Sequence, residues 1–343
     1  MTSRERILAT LRFEKTDRVP VSPWHFGKVD PDSPLGQELL RETDLIHDTG
    51  SGGDPILGKS AQIESEHQGD TTITTVHTPK GDLVSRFRRT EITGATIEYY
   101  FKDPSDVEKL LSIPYEAPDF DLTNYRAWQD RIGDEGLVLI GIVNGVAVPA
   151  SWFSPEGFCL AWADAPDLVE KLTAVITERI AAYIERICRE GVDGFRIVGG
   201  EYASVQLGPE AFKRLCVPYD RELVRIIHKY GATVHYHNHG PVMRYLEYFA
   251  EIGMDSLDPL EAPPWGDCDL REARKRLGNR VCFHGNIDDM EIINKLPTDE
   301  VLAIARERLD SAGDRGFMLG GSTSGTFGEH GARNFIAMAR MVR

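Results

Sequence analysis

Short β-rich runs alternate with helical segments through the second half of the chain, and few folds accommodate that order. Each run is apolar where it begins and polar or glycine-rich where it ends. The five runs cover residues 194–202, 233–240, 256–261, 280–288 and 316–324. Apolar residues recur at helical spacing in the segments 169–187, 212–227, 242–252 and 301–309. Such repetition of strand and helix predicts a parallel sheet.

Additional β-rich runs in the first half raise the number of predicted strands to eight: 18–24, 53–58 and 137–145. Eight such strands predict an α/β fold of the closed (β/α)8 type, the TIM barrel. Alternation about a Pro-Lys-Gly turn predicts an antiparallel β-hairpin inserted at about residues 71–102. Ile7, Leu8 and Leu11 share one side of a predicted N-terminal helix. Because no linker or repeat divides the sequence, we expect a single domain over residues 1–343.

The composition narrows the classes of partner. The formal net charge is -15, and no long stretch of the sequence is rich in Lys or Arg, so neither nucleic acid nor an anionic membrane is an expected partner. No apolar run reaches the ~20 residues of a membrane span. The five cysteines lack CxxC spacing, which favours buried reduced thiols and a cytoplasmic location. A small-molecule substrate is therefore expected.

In a barrel of this type, the loops that follow the strands build the active face. The polar or aromatic residues at the predicted strand ends are Trp24, His25, Asp54, Asn144, Glu201, Tyr202, His237, His239, Asp258, Glu261, His284, Asn286, Asp288, Ser322 and Thr323. Any one of them could serve only to cap a helix or satisfy a loop. Their convergence from most of the strands is what predicts an active site.

The stretch "HYHNHG" places a histidine at every second residue of one strand. Since alternate residues share a face, His235, His237 and His239 are expected to point into the barrel. At ~3.3 Å per residue, His235 and His239 lie about 13 Å apart along the strand, which is too far for both to bind one ion. His237 and His239, with Glu201 from the preceding strand, form a candidate site for zinc, iron(II) or manganese. The alternative is a hydrogen-bonded pair of histidines that binds substrate without metal.

Four stretches of the sequence together resemble one family. They are "RERILATLRFEKTDRVPV", "LIGIVNGVAVPASWF", "EGVDGFRIVGGEYASVQLGPEAFKRLCVPY" and "FHGNIDD". This pattern is similar to the uroporphyrinogen decarboxylase superfamily, which also contains corrinoid:thiol methyltransferases such as methanol:coenzyme M methyltransferase. The resemblance covers nearly the whole chain and implies a (β/α)8 barrel with its active site at the C-terminal strand ends. It also implies, by analogy, a homodimer.

The decarboxylase branch of the superfamily fits the sequence poorly. True uroporphyrinogen decarboxylases carry a Met-Arg-Gln-Ala-Gly-Arg segment after the first strand, and here "PWHFGK" has His25 and Lys28 near the two arginines. Trp152 takes the place of a tyrosine, Tyr202 that of a serine, and the last strand has "GGS" for Gly-His-Gly. Only Glu201 matches. Without the cationic clamps that polycarboxylate recognition needs, uroporphyrinogen is not the expected substrate.

The methyltransferase branch fits better. It binds zinc through His-x-Cys at the end of the fifth strand and a further cysteine in the last loop, where the metal activates a thiol. His237 matches the first ligand, and His239 stands in place of the cysteine. The last loop has no cysteine and offers Thr323, or further on Glu329 and His330. The resemblance therefore implies the zinc site with its sulfur ligands replaced.

These observations lead to one main hypothesis and two alternatives. The main hypothesis is a metal-dependent methyltransferase, zinc being the first choice, that moves a methyl group between a corrinoid or methylated small molecule and an acceptor activated at the metal. A corrinoid would arrive on a separate partner protein. Glu201, Asp258 and Glu261 are the candidate catalytic residues. The candidate substrate contacts are Trp24, His25, Asn144, Trp152, Tyr202, His284, Asn286 and Thr323. The alternatives are a decarboxylase or lyase acting on a small carboxylated substrate, and a non-catalytic ligand-binding barrel.

Overall fold

The structure is a computed structural model that describes residues 1–322 and 325–343. Within these residues the strands are β1 (Leu45–Thr49), β2 (Gln62–Gln68), β3 (Thr71–His77), β4 (Leu83–Arg89), β5 (Gly94–Glu98), β6 (Gly136–Val143), β7 (Gly194–Val198), β8 (Thr233–His237), β9 (Ser256–Asp258), β10 (Cys282–Ile287) and β11 (Phe317–Gly321). The α-helices are α1 (Ser3–Leu11), α2 (Pro34–Glu42), α3 (Asp106–Leu111), α4 (Thr123–Ile132), α5 (Ala147–Trp152), α6 (Pro155–Asp164), α7 (Pro166–Cys188), α8 (Gly200–Gln206), α9 (Pro209–Leu215), α10 (Val217–Lys229), α11 (Leu246–Ile252), α12 (Leu270–Leu277), α13 (Thr298–Ala312) and α14 (Glu329–Met341).

The strands of the barrel wall form one parallel sheet in the order β1-β6-β7-β8-β9-β10-β11. The predicted first strand joins the two edges of this sheet through isolated parallel bridges, from Val21 to Leu319 of β11 and from Trp24 to Ile46 of β1. The helices that follow the strands pack on the outside, where their apolar stripes and the outward strand residues form one large buried core. The predicted α/β barrel fold is confirmed.

The prediction of the second strand at 53–58 is wrong. The strand beside β6 is β1, and residues 53–58 form a turn. Asp54 stabilises that turn, because its carboxylate accepts hydrogen bonds from the backbone N–H groups of Ile56 and Leu57 at 2.8 and 3.1 Å. Gly53 has a φ of 39°, which also disfavours a strand. Asp54 therefore caps a turn at the barrel rim.

The inserted hairpin is real but is only part of a larger unit. Strands β3 and β4 pair in antiparallel register as predicted, with β2 and β5 added on either side. The resulting four-stranded sheet begins at residue 62, earlier than the predicted 71. Strand β2 is exposed along its whole length, so it shows no alternation of polar and apolar residues that would have revealed it.

The helix predicted over 212–227 is two helices. Its apolar stripe is continuous in sequence, but α9 ends before Cys216 and α10 begins at Val217 with Pro218 in its first turn. Proline lacks an N–H and is favoured in the first turn of a helix, so it marks this break. Among the described residues, no helix combines the length and apolarity needed to cross a bilayer.

The interior of the barrel changes character along its axis. At the N-terminal ends of the strands, helix α1 inserts Ile7 and Leu11 against Leu139 of β6 and Met318 of β11, and this cluster is apolar. Further along the strands, the inward residues become polar. The barrel interior is therefore closed by an apolar cluster at the N-terminal ends of the strands and contains a charged chamber at their C-terminal ends.

Candidate active site

Strand β8 turns His235 and His237 into the barrel, as its alternating sequence predicts. Both imidazoles contact Asp258 at the end of β9, through His235 Nε2 to Oδ1 and His237 Nδ1 to Oδ2, each at 2.9 Å. Asp258 is 1% exposed, and burial alone would raise its pKa. The neighbouring His237 and His235 instead hold the pKa of Asp258 well below its ordinary value. This buried carboxylate is therefore ionised.

His237 and His239 lie side by side, with ring centroids 4.5 Å apart and ring planes perpendicular. His239 Nδ1 lies 3.0 Å from Glu261 Oε1, and Glu261 Oε2 also accepts a hydrogen bond from the backbone N–H of Gly240 at 2.7 Å. The hydrogen bond to Glu261 raises the pKa of His239. Each histidine of the pair thus has a carboxylate at its Nδ1, which fixes the ring and directs Nε2 away from that carboxylate.

The arrangement agrees with only part of the predicted metal site. Imidazoles held at Nδ1 by carboxylates are the usual form of histidine metal ligands. Glu201, in the first turn of α8, accepts a hydrogen bond from the backbone N–H of Gly199 at 3.1 Å. Its charge is close enough to contribute to the raised pKa of His239. Across residues 1–322 and 325–343, no group of three or more His, Cys, Asp or Glu side chains is arranged to hold a metal ion.

Trp24 and His284 form the floor of the chamber. The two rings stack with centroids 5.5 Å apart, and His235 meets both of them edge-on at 4.8 and 5.3 Å. Burial lowers the pKa of His284 to about 4, so its ring is neutral at pH 7. The ring fits only because Gly320 lies opposite, where a Cβ atom would lie 2.4 Å from His284 Nε2. Trp24 and His284 therefore support His235 from below.

A second histidine and carboxylate group lies on the β1 side of the chamber. His25 Nδ1 faces His47 Nδ1 at 3.0 Å, and His25 Nε2 lies 3.2 Å from Asp48 Oδ1. Both ring nitrogens of His25 are thus engaged by the protein. The side chain of Arg196 links this group to the first, lying 3.4 Å from Asp48 and 4.0 Å from Asp258.

Sequence reasoning missed three members of this chamber, Asp48, Arg196 and Ser256. It also missed His47, which packs on Trp128 of α4 and contacts His25. His47 and Asp48 belong to β1, whereas the sequence predicts the corresponding strand at 53–58. Arg196 lies 4.5 Å above the Trp24 ring in the middle of β7, between Phe195 and Ile197. A charged residue inside an apolar strand was the available signal for it, since such a position is costly unless the charge is paired.

Three of the predicted substrate contacts lie away from the histidine pair. Asn144 is buried behind the sheet, where Nδ2 donates to Asp220 Oδ2 at 3.0 Å. Trp152 packs against Tyr100, with centroids 4.5 Å apart, beside the inserted sheet. Tyr202 is half-buried on α8, and burial raises its pKa. The structure does not bring these three side chains together with His237 and His239.

The remaining predicted residues lie near the end of β10. Asn286 is buried, and its Nδ2 donates to the Leu260 carbonyl oxygen at 2.7 Å. Ser322 Oγ donates to Asp288 at 3.5 Å. A cavity of about 290 Å³ opens here and includes Glu261 in its wall. Thr323 lies outside the described residues, while Glu329 and His330 are exposed at the start of α14.

The fold agrees with the comparisons with known proteins. The family model for uroporphyrinogen decarboxylase matches residues 77–343. The chain therefore belongs to the uroporphyrinogen decarboxylase family, a family of α/β barrel enzymes. The resemblance stated from the sequence is confirmed.

Individual relatives are distant. Uroporphyrinogen decarboxylase of Trichodesmium erythraeum (strain IMS101) is 22% identical over 330 residues, covering 91% of this chain and 88% of that protein. The chloroplastic uroporphyrinogen decarboxylase 1 of Oryza sativa subsp. japonica is 23% identical over 261 residues, which cover 71% of this chain and 60% of that protein. Among solved structures, a methyltransferase from Methanosarcina mazei superposes with a TM-score of 0.68 at 15% identity and 99% coverage of both chains. That likeness shows the shared fold.

Proposed function

We propose that this protein is a metal-dependent methyltransferase that activates a methyl acceptor beside His237 and His239. The observation that carries the proposal is the adjacent pair of imidazoles, each with a carboxylate at Nδ1, at the C-terminal ends of the barrel strands. In a barrel of this type, that end of the strands is where chemistry occurs.

The pair and Glu201 would hold a divalent ion, zinc in the first place and iron(II) or manganese as alternatives. When bound, the ion would act as a Lewis acid that lowers the pKa of a coordinated thiol, alcohol or water. Glu201 is the proposed third ligand because it lies at the start of α8, directly after β7, the strand that pairs with β8. The described residues do not already form a three-ligand site, so the proposal requires Glu201 to move. It would have to exchange its hydrogen bond from Gly199 for this role.

The two carboxylates have different parts in the proposal. Both oxygens of Asp258 are occupied by His235 and His237, and the side chain is buried, so Asp258 is a positioning residue. Glu261 lines the cavity next to the histidine pair, which makes it the better candidate to accept the proton of the methyl acceptor. The methyl donor would come from a small molecule or from a corrinoid protein docked over the strand ends.

Metal content and product analysis test the proposal together. We expect about one ion per chain in the wild type by elemental analysis, and loss of that ion in His237→Ala. His67→Ala, on the exposed strand β2, is the matched control and should keep it. Absence of metal in the wild type, or equal metal in His237→Ala, contradicts the metal site.

For the reaction itself, the protein is incubated with methylcobalamin and a panel of thiols and alcohols, and methylated products are sought by mass spectrometry. Methyl transfer that His237→Ala abolishes is the expected result. Release of carbon dioxide from carboxylated substrates without methyl transfer contradicts it and supports the decarboxylase alternative, the activity named for the curated relatives.

A further inference from the structure

The cavity beside Glu261 has the features of a ligand site that the histidine pair does not explain. Its volume of about 290 Å³ is close to the lower end of ligand pockets, roughly 300 to 1,000 Å³. One wall is the loop after β9, with Pro263, Pro264 and Trp265, and the opposite wall includes Asn286 and Ile292. Trp265 is 60% exposed, although a large aromatic side chain normally packs against other residues or against a bound molecule. The cavity therefore offers an uncovered aromatic face to a small molecule.

An acceptor in the cavity wall lacks a partner. Asn286 is 3% exposed, and its Nδ2 donates to the Leu260 carbonyl oxygen, which fixes the orientation of the amide. Oδ1 of the same amide is buried without a hydrogen bond in the part of the chain that the structure describes. An unsatisfied buried acceptor typically costs about 1–3 kcal/mol, so a donor supplied by a ligand would be favoured there.

The charges around the cavity indicate the charge of the ligand that would donate this hydrogen bond. Among the described residues, the carboxylates of Glu261, Asp288 and Glu291 line the cavity, and Arg308 is the one guanidinium that does so. Arg308 Nη1 donates to Glu307, whose carboxylate belongs to the neighbouring cavity, and Glu291 is paired with Lys295 at the surface. Glu261 and Asp288 have no Lys or Arg partner among the described residues. An anion would therefore be repelled, and a cation would be attracted to the carboxylates and to the face of Trp265.

We propose that this cavity binds a small, flat organic cation that donates an N–H hydrogen bond to Asn286 Oδ1 and lies against Trp265. Such a molecule would be the methyl acceptor or donor of the reaction proposed above, because Glu261 belongs both to the cavity wall and to the contacts of His239. In that respect the inference rests on the proposed function. Binding itself requires neither a metal nor methyl transfer.

Three probes of nearly equal shape test the charge requirement by isothermal titration calorimetry. They are benzamidinium, benzamide and benzoate, which are cationic, neutral and anionic at pH 7. We expect benzamidinium to bind at least tenfold more tightly than benzamide, and benzoate to bind more weakly still. Equal affinities, tighter binding of benzoate, or no binding of any probe would overturn the proposal.

Variants test the location of the site. Trp265→Leu is expected to weaken benzamidinium binding severalfold, and Asn286→Leu at least tenfold. Met290→Leu is the matched control, because Met290 is 53% exposed on the adjacent segment but does not line the cavity. If Asn286→Leu does not fold, Trp265→Leu and Asp288→Asn decide the question, and unchanged affinity in both would refute the location.

The two proposals can fail separately. His237→Ala should lose metal yet bind benzamidinium as the wild type does. Suppose that His237→Ala loses the metal but the wild type does not bind benzamidinium. This result would support the metal site and contradict the cation site. The reverse result, benzamidinium binding by a wild-type protein that holds no metal, would remove the metal site alone.

Discussion

Strand β8 contacts a buried carboxylate on each of its two faces, and the two carboxylates differ in the direction of their pKa shifts. On the inner face, His235 and His237 keep the pKa of Asp258 well below its ordinary value. On the outer face, Tyr236 donates to Asp220 of α10 at 2.6 Å, with Asn144 as the second donor. Burial raises the pKa of Asp220 to about 7 despite these hydrogen bonds. Neutral donors do not offset the loss of water, whereas two imidazoles do.

The two faces of β8 differ in the protonation of the carboxylate that each one contacts. Both carboxylates are fully buried, so burial alone does not decide the charge that a group carries. The inner face of β8 places two histidines around an ionised carboxylate that holds their rings in position. The outer face assembles a near-neutral network between the sheet and α10, which stabilises the wall on which the histidines stand.

The largest expected effect comes from breaking the inner network. Asp258→Asn removes the buried carboxylate that contacts both His235 and His237, and each buried partner left without its hydrogen bond costs about 1–3 kcal/mol. Asp220→Asn should cost much less at pH 7, because the asparagine replaces a carboxyl group that is about half neutral there. Guanidinium unfolding of both variants at pH 7 measures the two costs. Equal costs would contradict the comparison.

The next effect separates the faces by metal affinity. His237→Ala should weaken binding of zinc by more than the 10- to 100-fold that is typical for loss of an outer-sphere partner. Tyr236→Phe, one residue earlier on the other face, should leave zinc affinity unchanged and lower stability by about 1 kcal/mol through the lost hydrogen bond. Competition with a chromophoric chelator gives the affinities. A similar loss of zinc in Tyr236→Phe would show that the faces are not independent.

Glu261→Gln sharpens the comparison at the outer histidine. The amide keeps the shape of the carboxylate but not its charge, so the pKa of His239 should fall towards that of an ordinary histidine. We expect about tenfold weaker metal binding from this change. Proton NMR titration of the His239 ring follows the pKa, with Glu272→Gln on the surface of α12 as the control. An unchanged pKa in Glu261→Gln would show that Glu261 does not act on His239.

The smallest effect is the pH dependence that Asp220 gives to stability. Its pKa in the folded protein, about 7, lies above the ordinary value of 3.8, so the fold favours the protonated form. The contribution is fully present below about pH 4 and is lost as pH rises through 7. From pH 6 to pH 8 the wild type should therefore lose about 1 kcal/mol relative to Asp220→Asn. Parallel pH curves of the two unfolding free energies would exclude this.

The parts of the site that the sequence predicts are those governed by a simple period. His235, His237 and Asp258 follow from the two-residue repeat of a strand and from the position of strand ends in a barrel. The site has a second half that depends on β1, and β1 was misplaced because "GDPILG" is as apolar as a strand but is held in a turn by Asp54. Arg196 was missed because pairing partners, not sequence neighbours, make its position tolerable.

Asp220 shows a different limit. It lies in an amphipathic helix, where a charged residue is ordinarily assigned to the solvent face. Only the packing of α10 against β8 reveals that it is buried against Tyr236. Strand β2 was missed for the opposite reason, since it buries no side chain and leaves no pattern.

The glycine opposite His284 has a consequence for how this chamber can change. Residue 320 contributes no side chain, and a Cβ there would collide with the His284 ring and with the backbone oxygen of Ser22. The space between β10 and β11 therefore holds the side chain of His284 only because residue 320 is glycine. A side chain at residue 320 would therefore displace the ring that Trp24 and His235 contact, and would also push against the backbone of the first strand.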